Sequence, residues 1–396
     1  MSAYGPPIAY DPSMEVRPEN EAEATAELKE IFLRMAATVA EQEGTAHRAV
    51  HAKGQALLRA AFRIHAELPE ELAQGIFAHP GLHQAIVRFS SPPAEQLPDT
   101  VSTPRALAIK VLDVPGQRLP ESLAGHSQDF LMVNGESFTA PTPAKFVGAA
   151  KLLASTTEKM PRTKEVISTT LRGTEAALEW VGLESGKLKG LGGEPQHHPL
   201  GETYFSQVPF LYGRYMAKFS LLPRAAALQR LRDAPIECST DAQRAAINEV
   251  TSQGLLDLVW DFRVQLCRNL DRMPIEDAAT AWSEEDSPWQ TVASLIIPPQ
   301  PAWSAEAEEQ EHRLAFSPWN AVVEHRPLGG VNRARREVMA HSREFRTTFN
   351  RCPISEPPRF RPVPDPKKGA DLWAARRAPP TIAMPVLPPD VRQATA

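Results

Sequence analysis

Eight short stretches of this chain have the character of β-strands, and that number limits the folds open to it. They read VHAKGQALLRAAFRIH, HQAIVRFSS, PRALAIKVLDV, QDFLMVNG, ETYFSQVPF, YGRYMAKFSLL, LVWDFRVQLC and WQTVASLIIP. β-branched and aromatic residues recur in them, and several alternate apolar with polar positions, the mark of a strand buried on one face. Eight strands suffice to close a sheet on itself around side chains or one small ligand.

Helical patterns punctuate the strands. Residues 20–43 bring Leu28, Ile31, Phe32, Met35 and Val39 onto one face of an amphipathic helix. PTPAKFVGAAKLLAS and KEVISTTLRGTEAALEWVG form a helical insertion between the fourth and fifth strands, and TDAQRAAINEVTSQG separates the sixth and seventh. After the last strand come a short helix near SAEAEEQEHRLA, an irregular FSPWNAVVEHRPLGG and a helix VNRARREVMAHSREFRTTF. From Cys352 proline becomes dense, which predicts an extended tail. The chain thus reads as an α+β protein with an N-terminal arm (1–19), one domain (20–350) and a proline-rich tail (351–396).

Composition removes several classes of function. With 42% hydrophobic and 23% charged residues the chain resembles globular proteins, and a net charge of -5 without a basic block argues against nucleic acid as partner. No apolar run is long enough to span a bilayer, and the opening MSAYGPPIAYDPSMEVRPENEAEA lacks the pattern of a secretory leader. Cys238, Cys267 and Cys352 are widely spaced with no CxxC pair, so neither a zinc site nor a disulfide framework is expected. Cys267 reads as a buried, inert thiol and the compartment as reducing, hence cytoplasmic. The glycines of SGKLKGLGGEP neither follow a strand nor open a helix, which excludes a dinucleotide fingerprint and a P-loop.

The segment GTAHRAVHAKG sets His47 and His51 four residues apart. Three readings compete: two metal ligands on a helix, one reactive histidine, or packing. Zinc wants three or four ligands, and Arg48 stands where the helical zinc motif has its glutamate. On a strand the two histidines are about 13 Å apart, too far to share a metal. A single histidine at the mouth of a barrel, with Arg48 close by, suits acid–base work beside an anionic cofactor. AIVRFSS sets Arg88 and Ser90 on one strand face, and DFLMVNGESF ends a strand with Asn134 near Phe138. In the last helix Asn332, Arg335, Met339, Arg343 and Arg346 form one stripe, and Val331, Ala334, Val338 and Phe345 a separate apolar one. A solvated face is the plain explanation of such arginines, but Met339 interrupts them, and aligned guanidinium groups suit carboxylates or phosphates. His197, His198 and the run Glu284, Glu285, Asp286 read as solvated.

RAVHAKG, VRFSS followed by DT and PRALAIKV, and DFLMVNG with its later Phe occur in the order found in the haem domain of catalases. With LAQGIFAHPG, RMPIEDA, PPQPAW and EHRPLGG, the chain resembles the shorter, mostly bacterial catalase-related haem proteins over about residues 20–350. The resemblance implies a catalase-like antiparallel eight-stranded β-barrel with helical insertions and a C-terminal helical segment. It also implies haem b as cofactor, a peroxide or hydroperoxide as substrate, and leaves a homo-oligomer open. By the same resemblance His51 is the distal histidine that moves a proton between the peroxide oxygens. Ser90 holds the far side of that imidazole, Asn134 is the distal asparagine, and Val50 and Phe138 pack near the haem. Arg48, Arg88 and Arg346 take the haem propionates, and Arg335 partners the axial tyrosinate.

One position departs from the family. The axial tyrosine follows that arginine as Arg-x-x-x-Tyr, whereas here the residues run Arg335, Arg336, Glu337, Val338, Met339, and none of the five tyrosines lies in this helix. A thioether is a neutral, soft ligand that raises the iron potential. With Met339 as metal ligand, catalase activity is expected to be weak or altered; with Met339 as mere packing, the iron takes another ligand or haem is not bound. His341 is about 200° further round the helix and is a poor substitute. Arg335, deprived of a phenolate, needs another anion. The resemblance therefore implies a haem-binding oxidoreductase acting on hydrogen peroxide or an organic hydroperoxide, fatty-acid hydroperoxides included. Its rival is a catalase-fold protein that has lost redox activity and serves as a binding or structural partner.

Overall fold

The computed structural model describes residues 4–100, 103–123, 125–159, 197–237, 239–254, 256–354 and 356–357. The segments KEVISTTLRGTEAALEWVG and SGKLKGLGGEP, Cys238 and most of the proline-rich tail lie outside the described residues.

The strands are β1 (Lys53–Ile64), β2 (Gly81–Ser91), β3 (Ala106–Val111), β4 (Gln128–Val133), β5 (Tyr204–Phe205), β6 (Phe210–Tyr212), β7 (Tyr215–Pro223), β8 (Leu258–Leu266) and β9 (Gln290–Ile297). Each of the eight stretches holds one, and the small β6 straddles the fifth and sixth. Antiparallel neighbours run β5-β4-β3-β2-β1-β9-β8-β7. Tyr204 of β5 also pairs with Leu221 of β7, which closes eight strands into a barrel with β6 folded back on β7 outside the ring. The first strand starts later than its apolar pattern suggests, at Lys53, because His51 is left-handed (φ 55°) and breaks the extended run. His47 and His51 therefore sit in a loop, not on a strand.

Alternation decides what fills the barrel. Ala56, Leu58, Ala60, Phe62 and Ile64 of β1 point inward, as do Val87 and Phe89 of β2 and Leu107 and Ile109 of β3. Phe62, Phe77, Phe130, Phe219 and Phe262 pack edge to face and offset at the centre, Phe130 and Phe262 with ring centroids 4.8 Å apart. The interior is a packed core, and the candidate cavity is not inside it.

It lies outside the wall. Helices α1 (Glu21–Glu43), α2 (Pro143–Lys159) and α5 (Gly330–Phe349) join in a second core, with Leu28, Ile31, Phe32, Met35 and Val39 of α1 against Val147, Ala150, Val338 and Phe345. Two shorter helices, α3 (Ala242–Gln253) and α4 (Ala305–Arg313), touch β1. Gly329 opens α5 at φ 81°, and a Cβ there would stand 2.5 Å from the Ile275 carbonyl oxygen, so only glycine makes this entry without strain. Arg333 on α5 binds three carboxylates: Glu15 (2.7 Å), Glu21 (2.6 Å) and Glu276 (2.8 Å). That cluster explains the acidic stretch near the N-terminus, which the sequence marked only as unlike a leader.

Candidate functional site

A cavity of about 300 Å³ lies between the outer face of β2–β4 and helices α1 and α5. Strand register builds its floor. Arg88, Ala108 and Leu131 stand side by side across three strands, and the next outward row is Ser90, Ala106, Val133 and Phe205. Small residues at Ala106 and Ala108 leave the space that larger ones would fill. Phe32, Phe138, Phe146 and Phe316 wall it, and Val331, Ala334, Arg335, Val338, Met339, Arg343 and Arg346 of α5 form its roof. The arginine stripe and much of the apolar stripe thus face the same space. Asn332 is the exception: its amide donates to the Pro209 and Leu328 carbonyls at 3.0 and 3.1 Å. Phe345 packs instead with α1 and α2.

His51 reaches the cavity from the loop before β1, and its carbonyl accepts a hydrogen bond from Arg88 Nη2 at 2.9 Å. The left-handed backbone is a sparsely populated state held by such contacts, as functional positions often show. Burial, aided by the charges of Arg88 and Arg335, pushes the imidazole down to about 3, so His51 is neutral at neutral pH. Its Nδ1 is buried without a hydrogen-bond partner. Ser90 lines the same cavity, and its hydroxyl makes no hydrogen bond to that nitrogen. Asn134 is not among the lining residues; its side-chain oxygen accepts from the Arg105 N–H at 3.0 Å, at the end of β4. Its direction is reversed because Val133, one residue earlier, takes the outward position.

The cationic end holds a residue that sequence reasoning missed. Glu311 of α4 is buried, and its Oε1 accepts from Arg48 Nη1 and from Arg88 Nε at 2.5 Å. Burial pushes this carboxyl up, but Arg48, Arg88 and Arg346 together outweigh it and hold it at about 2. A glutamate in a short polar helix carries little signal of its own; inward arginines lacking a counter-ion were the available clue. Arg346 is 4% exposed, donates to the Leu314 carbonyl at 3.3 Å, and has an unbonded Nε. At the other end Arg335 lies 5.7 Å from the Phe138 ring centre and 3.5 Å from Asn332 Oδ1. Among the described residues no carboxylate pairs with it, and burial pushes its guanidinium down to about 10.

The remaining candidates fall elsewhere. His47 pairs with Glu43 at 3.0 Å, and His341 is 38% exposed on the surface of α5. His198 is not solvated as its Gly/Pro-rich context suggested: it is buried, with Nδ1 accepting from the Leu200 N–H at 3.2 Å. Glu284 and Glu285 are exposed, but Asp286 is an ion-pair partner of Arg272 at 2.8 Å. Cys267 is buried and its thiol is pushed up to about 11, an unreactive setting.

Three solved structures share this architecture. A fungal catalase matches with a TM-score of 0.53 and 16% identity over 80% of this chain and 62% of its own. Catalase A from Saccharomyces cerevisiae gives 0.52 and 16% over 80% and 64%, and a bacterial catalase 0.51 and 17% over 80% and 61%. The chain has the catalase-like fold. It spans under two thirds of the length of these catalases. No family model matches the sequence, and no curated protein does.

Does the cavity suit a haem, the group the fold family implies? Its apolar walls and the arginines gathered around Glu311 are compatible with a flat apolar ligand that carries carboxylates on one edge. The side-chain atoms in the lining able to ligate iron are the His51 imidazole and the Met339 thioether. Tyr204 and Tyr212 are buried in the barrel core, and no tyrosine lines the cavity. Walls and cationic end fit; an anionic axial donor is missing. No helix of the described residues is long and apolar enough to cross a membrane.

Proposed function

We propose that this protein is a haem-binding oxidoreductase of catalase-like fold that converts hydrogen peroxide or an organic hydroperoxide, with low catalase activity. The observation that carries this reading is His51: a neutral imidazole, its Nδ1 unbonded, placed in an apolar cavity whose far end is cationic. Haem would be held by Arg346, by Arg48 and Arg88 around Glu311, and by packing against Val50, Phe138 and Val338. When bound it supplies the electrons of peroxide cleavage, and a thioether from Met339 would make it a poorer oxidase centre than a phenolate would. His51 takes a proton from the proximal oxygen of the peroxide and returns it to the distal one. Burial keeps it unprotonated at neutral pH, the form that has a free lone pair for a proton. Phe138, Phe146 and Val50 exclude water, which strengthens every charge interaction inside.

Purified protein supplied with haem is expected to show a Soret band and slow peroxide turnover, and His51→Ala to lower that turnover by about 10²–10⁴-fold, the usual contribution of a positioned acid–base group. Absence of the band removes the proposal. A second reading is favoured by the engagement of Arg48 and Arg88 with Glu311: a catalase-fold protein that binds another ligand or a partner without redox chemistry. Peroxide turnover lost on His51→Ala counts against it.

A further inference from the structure

Lys110 follows Ala108 on the outer face of β3 and is fully buried. A buried ammonium group is kept only with partners. Its Nζ donates to Asp129 Oδ1 and Oδ2 of β4 at 2.8 and 3.0 Å, and to Glu356 Oε1 and Oε2 at 2.9 and 3.0 Å. Glu356 comes from the segment after α5, and its side chain is 5% exposed. Ser127 Oγ donates to the same carboxylate. Gly125, at φ 150°, leaves room for it: a Cβ there would stand 3.0 Å from the Glu356 Cβ. Asp129 by itself pairs Lys110, so Glu356 is a second anion on one ammonium. Burial pushes the Asp129 carboxyl up to about 6, with the Glu356 charge adding to it and Lys110 opposing.

This junction backs one wall of the cavity. Lys110 Nζ stands 5.5 Å from the centre of the Phe316 ring, and the Ser317 N–H donates to Asp129 Oδ2 at 3.0 Å. Asn320 ties the same segment to β4: its carbonyl accepts from the Asp129 N–H at 3.0 Å, and its amide donates to Ser127 Oγ at 2.8 Å. Phe316 and Ser317 line the cavity, as does Arg343 of α5, on which the charge of Glu356 also acts. We propose that Glu356 is a latch: seated between Lys110 and Ser127, it holds the Phe316–Ser317 wall against the strands, and its release lets that wall swing for a ligand to enter or leave. Lys110 keeps Asp129 when Glu356 departs, and the Glu356 carboxylate goes to water, so opening strands no buried charge. The inference rests on reading this cavity as the ligand site, not on the ligand being haem.

Entry of 1-aminoanthracene, a flat uncharged fluorophore, into the purified full-length protein tests this by stopped-flow fluorescence. Glu356→Ala is expected to raise both the association and the dissociation rate about tenfold, the worth of one charge-assisted hydrogen bond, while the equilibrium affinity changes less than threefold. Amide exchange at Ser317 should quicken by a similar factor, since its bond to Asp129 opens with the wall. Ala108→Phe, which fills the cavity floor, should abolish the signal with or without Glu356. Unchanged rates in Glu356→Ala, with the signal still lost in Ala108→Phe, overturn the latch and leave the cavity reading standing. So does a change in affinity carried by the dissociation rate alone, which marks an altered cavity shape. A signal that Ala108→Phe leaves intact, or none in the native chain, removes the cavity as ligand site and the latch with it. If circular dichroism shows Glu356→Ala unfolded, Glu356→Gln, which keeps hydrogen bonds and loses the charge, decides by the same rates. A Soret band with haem but no faster entry of the fluorophore keeps the cofactor reading and ends the latch.

Discussion

At the residue scale the proposed haem chemistry turns on Met339 and its neighbour one helical turn earlier. Arg335 carries a buried charge with no carboxylate beside it among the described residues, so a phenolate placed at Met339 would gain a cation partner as well as an iron. Met339→Tyr in haem-loaded protein is therefore expected to give a tyrosinate-type visible spectrum and at least tenfold faster peroxide dismutation; an unchanged spectrum means that position 339 does not face the iron. Asn134 supplies the opposite case. Because its oxygen serves the Arg105 N–H, Asn134→Ala should lower stability by about 1 kcal/mol in urea unfolding while leaving haem affinity unaltered. His51, Arg48, Arg88, Phe138 and Arg346 were picked out in the sequence, their roles through the family resemblance, and all five line the cavity. Glu311 was not, since its neighbours in AEAEEQEHR are also polar and only burial against two arginines tells it apart.

At the element scale, α5 works as a beam with two loaded faces. One face roofs the cavity; at its N-terminal end Arg333 is 7% exposed and ties the helix to Glu15, Glu21 and Glu276. Removing one partner of a buried ion cluster leaves uncompensated charge, so Arg333→Gln is expected to cost about 3 kcal/mol and to speed amide exchange at Ile8 and Tyr10, whose N–H groups bond the Cys267 and Arg214 carbonyls at 2.9 Å. Exchange at those amides equal to the native protein's would show that the arm is held independently of Arg333. The 3.6-residue period made α1 and α5 readable, with Leu28, Ile31, Phe32, Met35 and Val39 buried as the pattern required. Periodicity did not say which elements each face would meet.

At the scale of the whole molecule the barrel core contains a titratable group. His325 is fully buried among Phe77, Phe130, Tyr212 and Phe219, with Nε2 accepting from the Ile76 N–H at 3.0 Å and Nδ1 3.3 Å from the Leu211 carbonyl. Burial pushes it down to about 4 against an ordinary 6.5, and His198 is likewise held at about 4. Between these values the unfolded chain binds more protons than the folded one, so the stability these groups confer is whole above pH 6.5 and is lost as pH falls toward 4. For His325 alone the difference is about 3 kcal/mol. The urea midpoint should fall steeply from pH 6.5 to 4.5; a flat profile there would show that both histidines ionise without cost. Eight strands and the helices α1 and α5 were set by local pattern, because alternation and helical period are properties of neighbouring residues. What closed β5 on β7, filled the barrel with aromatic rings and moved the site to its outer wall was long-range register and packing volume. The same holds for the pairing of Glu311 with Arg48 and Arg88: residues more than two hundred positions apart meet only when the barrel is complete, and no local pattern records which charge will face which.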